Sequence, residues 1–63
     1  MKNLTAAQAL DRNARDAIAA GFFKVAENLA NEIVEIWKRT DDEDEAQEIN
    51  GISYDLWEAI EAA

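Results

Sequence analysis

Apolar residues recur along this chain at three- and four-residue steps, the period of one face of an α-helix, in three successive runs. The first run is Ala6, Leu10, Ala14, Ala17 and Ile18. Thr5 followed three residues later by Gln8 has the form of a capping box, with Leu4 placed as a hydrophobic staple, so the pattern predicts a helix beginning at Ala6. Gly21 suits the position just past a C-terminus, which bounds this helix at 6–20. Its stripe is mostly alanine, so whatever packs on it approaches closely. The second run is Phe22, Val25, Ala26, Leu29, Ile33, Ile36 and Trp37, with Lys24, Glu27, Asn31, Glu35 and Lys38 lying largely elsewhere. It predicts an amphipathic helix over 22–39. One glycine between two such helices implies an antiparallel hairpin over 6–39.

The third run, Ala46, Ile49, Ile52, Leu56 and Ile60, is compatible with one helix over about 42–62, and Thr40 followed by Glu43 is a second capping-box pattern in front of it. Asn50-Gly51 favours a break instead, after which Ser53 caps a short last helix and Ile52 staples onto Trp57. Either way the fold class is all-α, a small bundle of three or four helices built on the hairpin. The 63 residues are read as a single helical domain, 1–63, whose last part, 40–63, is an acidic helical segment. The stretch AIAAGFFKVAENLANEIVEI resembles one helix pair of a tetratricopeptide repeat, with Gly21, Phe23 and Ala26 near the repeat's small and aromatic positions. No second copy follows, and a solenoid needs about three repeats to bury its faces, so a generic hairpin is the expected reading.

Size changes the picture first. A chain this short is near the lower limit for a core that holds together without metals, disulfides or partners, so marginal stability or a homodimer is expected. There is no cysteine, hence no disulfide framework or thiolate site. The first residues reach charge and amide groups too soon for a secretory apolar core, and no apolar run approaches membrane-spanning length. A cytoplasmic protein with no membrane association is expected.

Charge changes it more. The net charge is −8, unevenly divided. Up to Arg39 six basic residues face five acidic ones; after it nine carboxylates, Asp41, Asp42, Glu43, Asp44, Glu45, Glu48, Asp55, Glu58 and Glu61, face no Lys or Arg at all. Such asymmetry bears on partners rather than on fold. A solvated helix ordinarily interleaves both signs, because opposite charges at i,i+4 stabilise it and like charges do not. Part of the run has a local use, since acidic residues in a first helical turn complement the helix dipole. That accounts for two or three carboxylates only.

The chemistry on offer is narrow. With no histidine or cysteine, the commonest general bases, the thiol nucleophile and most transition-metal sites are absent. Ser53 in GISYD lacks the second glycine of a nucleophile elbow, Asp55 standing there. Solvated carboxylates ionise together and supply no distinct acid and base. Setting Gly51 at the loop glycine of an EF-hand puts Ala46 at the first ligand position and Trp57 at the bidentate one, so no calcium loop is read. The expectation is no enzyme, no metal and no cofactor.

Direct nucleic-acid binding is disfavoured, because the acidic segment repels phosphate. The opposite relation fits better: duplex DNA carries one charge per about 1.7 Å of axis, proteins that hold it line a groove with Lys and Arg, and a helix rising about 1.5 Å per residue through successive carboxylates approaches that density. The expected partner-binding residues are Asp41, Asp42, Glu43, Asp44, Glu45 and Glu48, with Asp55, Glu58 and Glu61 extending the series and Tyr54 and Trp57 as apolar anchors. Phe22, Trp37 and Trp57 are expected in the core, with Phe23, Tyr54 or one tryptophan exposed. In size, acidity and the run TDDEDEAQE, the chain resembles the DNA-mimic anti-CRISPR proteins of phages and other mobile elements. That resemblance implies an inhibitor that binds a CRISPR effector complex and blocks entry of target DNA. A helical dimerisation or adaptor module with a solubilising acidic face, and an antitoxin-like inhibitor of a basic nuclease, are the alternatives. In the first and last readings the partner is a basic DNA-binding protein or ribonucleoprotein complex.

Overall fold

In the computed structural model, which describes residues 1–63, the chain forms three helices: α1 (Lys2–Ala19), α2 (Phe23–Arg39) and α3 (Glu43–Ala62). Three-residue turns join them, so the chain runs up, down and up again in a bundle of 34 × 17 × 13 Å. No helix is long and apolar enough to cross a membrane.

The turn after α1 is built as the sequence predicts. Gly21 has φ +84°, its N–H donates to the Ile18 carbonyl, and the Phe22 N–H donates to the Ala17 carbonyl at 2.8 Å. This pair of bonds is the Schellman arrangement, which satisfies two carbonyls that the helix end would orphan and needs a residue at ease in the left-handed region. α2 ends with Lys38 and Arg39 in its last turn, the favourable sign for a helix C-terminus.

Both capping boxes are displaced. α1 begins four residues before Ala6, with Met1 as a cap that makes no side-chain bond, and the Thr5 hydroxyl donates back to the Met1 carbonyl from inside the helix. Thr40 closes α2 rather than opening α3: its hydroxyl donates to the Ile36 carbonyl at 2.7 Å. Asp42 opens α3, its carboxylate accepting the Glu45 N–H at 3.0 Å. The expected break at Asn50-Gly51 is absent, and Ser53 is a buried residue within α3 rather than a cap. Ile49, Ser53, Leu56 and Ile60 stay in one helical register against the hairpin, whereas Gly51 faces solvent with a helical backbone. Burying that line outweighs the roughly 1 kcal/mol that a mid-helix glycine costs relative to alanine.

The core is small. Its fully buried large side chains are Ile33 of α2 with Ile49 and Leu56 of α3; Ala7, Ala14 and Ala17 of α1 meet Ala26 and Ala30 of α2 in the same cluster, small enough to let backbones approach. Leu4, Leu10, Ile18, Leu29, Ile52, Trp57 and Ile60 close its margins. Two expected core aromatics lie outside it. Phe22 is 62% exposed because the turn uses it as the cap of α2, and Trp37 is 39% exposed in the last turn of α2, where Ile36 takes the inward position.

Leu56→Ala leaves a cavity among the few large core side chains and is expected to cost about 2–5 kcal/mol. Gly21→Ala is expected to cost about 1 kcal/mol through the positive φ alone. Urea unfolding followed by far-UV circular dichroism checks both.

Candidate functional site

The acidic run divides on folding. Asp41 and Asp42 precede α3, with Asp42 as its cap, and Glu43 and Asp44 point out from the first turn. Glu45 points in. The residue is 8% exposed, and its Oε2 accepts the backbone N–H of Leu4 at 2.9 Å. Leu4 is the third residue of α1, a position whose N–H has no partner within its own helix and which Met1 does not cap. A residue 41 positions away therefore supplies the anionic acceptor that the start of α1 lacks, where the helix dipole favours it. Beside it, the Asn3 amide donates to the Thr40 hydroxyl at 3.0 Å, joining α1 to the end of α2. Glu45 and Asp42 thus serve the fold, and the five successive carboxylates expected to bind a partner do not share one face. The signal was present in the spacing, since Glu45 lies four residues before Ile49 on the apolar line.

The outward face of α3 carries the rest. Asp44, Glu48, Gly51, Asp55 and Glu58 follow one another at four- and three-residue steps and form one row along roughly 21 Å of helix, opposite the buried line. All five are exposed. Asp55, Glu58 and Glu61 do not make a straight extension, because each three-residue step turns the helix by about 60°. Glu61 belongs to the adjacent row with Glu43, Gln47, Asn50, Tyr54 and Trp57. In that row Tyr54 is 67% exposed, while Trp57 is half-buried and packed on the core.

None of these carboxylates has a cation. The three ion pairs of the molecule, Arg15 with Asp11 at 3.1 Å, Lys38 with Glu35 at 3.3 Å and Lys24 with Glu27 at 3.9 Å, all lie within α1 or α2. The last turn of α3 has no basic residue and contains Glu61, the unfavourable sign for that end of a helix. No three carboxylates converge on a point that could hold a metal ion.

Two features of the hairpin were not read from the sequence. A shallow groove of about 310 Å³ lies between α1 and α2 over Leu10, Glu32, Glu35, Ile36 and Arg39, away from the acidic row. At the α1–α2 turn Phe22, Phe23 and Val25 are all exposed, an apolar tip visible in the sequence only as three large side chains within four residues. Comparison with protein-family models, with curated proteins and with solved structures finds no match for this chain.

Glu45→Ala, which orphans the Leu4 N–H, is expected to destabilise the protein by about 1–3 kcal/mol and Asp42→Ala by about 1 kcal/mol. Glu43→Ala and Asp44→Ala are expected to stay within about 0.5 kcal/mol of wild type. Denaturant melts of the four variants separate the carboxylates that serve the fold from those that do not.

Proposed function

We propose that the protein is a non-enzymatic inhibitor that occupies the basic nucleic-acid groove of another protein and excludes DNA from it by charge mimicry. The observation that carries this reading is the uncompensated row on α3: Asp44, Glu48, Asp55 and Glu58 share one face of a continuous helix and take part in none of the molecule's ion pairs. Like charges a helical turn apart destabilise the free helix, whereas a partner's lysines and arginines, placed to bind phosphates, would find carboxylates at comparable spacing. Asp41 and Glu43 add charge at the end of the bundle, and Tyr54, beside the row, offers an exposed aromatic anchor. Such pairs chiefly accelerate association and set its salt dependence, so the anchor contributes the slow dissociation. The resemblance to DNA-mimic anti-CRISPR proteins makes a CRISPR effector complex the first target to test.

The exposed tip of Phe22, Phe23 and Val25 favours a second reading, an adaptor module that binds through the hairpin and keeps α3 acidic for solubility. The two readings place function at different side chains. Displacement of labelled duplex DNA from purified CRISPR effectors is expected with wild type and with Phe23→Ser, and is expected to be lost when Asp44, Glu48, Asp55 and Glu58 are replaced by their amides. Full displacement by the amide variant would contradict charge mimicry.

Salt acts with opposite signs on the fold and on the complex. Screening the like charges of α3 is expected to raise the melting temperature of the free protein between low salt and about 0.5 M NaCl, and to weaken displacement of the same DNA-binding partner's ligand over that range. Thermal melts and the displacement assay at both salt concentrations check the pair.

A further inference from the structure

Gly51 lies near the middle of α3 on its outer face, and nothing in the free protein requires a glycine there. Its φ is not positive, and a Cβ built on it meets nothing within 4 Å. Gly21 needs its left-handed backbone; Gly51 has no comparable reason, and alanine would fit the space and favour the helix. Along the row the neighbours of Gly51 are Glu48 one turn before and Asp55 one turn after, with Asp44 and Glu58 beyond them. The centre of the carboxylate row is therefore bare backbone between two unpaired anions.

Building on the charge-mimic reading, we infer that this face of α3 is an interface centred on Gly51, where an arginine of the basic partner lies flat on the helix backbone with its guanidinium between Glu48 and Asp55.

A position without Cβ lets a planar group approach the backbone closely. The guanidinium is planar, weakly hydrated and carries donors on both sides, so one arginine can serve two carboxylates at once. Glu48 and Asp55 are separated by roughly 10 Å along the axis, a gap largely closed by a guanidinium donating a hydrogen bond of about 2.9 Å to each side. A lysine ammonium is compact and strongly hydrated, and reaches either carboxylate without the bare floor. A methyl group at position 51 lifts the guanidinium away from the backbone and out of line with both anions. It leaves a lysine contact as it was.

The test titrates synthetic octa-arginine and octa-lysine peptides at low salt into wild type, Gly51→Ala, Asn50→Ala and the variant with amides at 44, 48, 55 and 58. Wild type is expected to prefer octa-arginine. Gly51→Ala is expected to bind it about fivefold more weakly, with octa-lysine unchanged. Its melting temperature is expected to rise by about 4 °C, so that loss of folding is not the cause. Asn50→Ala, turned about 100° around the helix from Gly51, is expected to bind as wild type does. Wild-type affinity of Gly51→Ala for octa-arginine, or a fall in its melting temperature, would overturn the notch and leave charge mimicry standing. Equal binding of both peptides by the amide variant and wild type would remove charge mimicry and the notch together.

Discussion

One hydrogen bond sets the geometry on which the rest depends: the Glu45 carboxylate accepting the Leu4 N–H across the start of two helices. It supplies the missing cap of α1 and pins the first turn of α3 inward. With Ile49 and Leu56 buried on the same line, the rotation of α3 about its axis is fixed. Everything on the opposite side then faces solvent as one row. The alignment of that row is a consequence of residue spacing on a continuous helix, and its outward direction is a consequence of Glu45 with Ile49 and Leu56.

This arrangement assigns the acidic residues two different tasks. Asp42 and Glu45 satisfy backbone N–H groups at helix starts, where negative charge is favoured. Asp44, Glu48, Asp55 and Glu58 satisfy nothing within the molecule, and Glu61 sits at the helix end that disfavours it. The core behind them is slight, with three large side chains fully buried and alanine making up much of the remainder. The molecule nonetheless carries unpaired like charges and a mid-helix glycine on one face. On the proposed reading, both features become favourable once a cationic surface lies against that face.

Much of the fold was legible in the sequence. The hairpin followed from the strong apolar face of 22–39 and from Gly21, because a Schellman turn is a local device that a glycine in the right place announces. The errors came where tertiary contacts overrode local signals. Thr5 and Thr40 each look like caps, yet Glu45 reaches α1 from the far end of the chain and Thr40 is taken up by Ile36 and Asn3. Asn50-Gly51 reads as a break because its local propensity is poor, while the apolar line through it buries enough to carry the helix past. Phe22 and Trp37 have the period of core residues but stand at element ends, where a turn or the edge of the bundle leaves them exposed. The candidate site was legible in composition and not in shape. That no basic residue follows Arg39 is plain from the chain; which carboxylates share a row depends on α3 being continuous, and which way that row faces depends on where Glu45 points.

Charge mimicry is tested most sharply by backbone amide shift mapping of the isotope-labelled protein titrated with a purified DNA-binding effector. The largest shifts are expected along α3 from Asp44 to Glu58, with Phe22 to Val25 unchanged. Shifts concentrated at Phe22, Phe23 and Val25 with α3 unperturbed would contradict it, and would place the function of this protein on the hairpin tip.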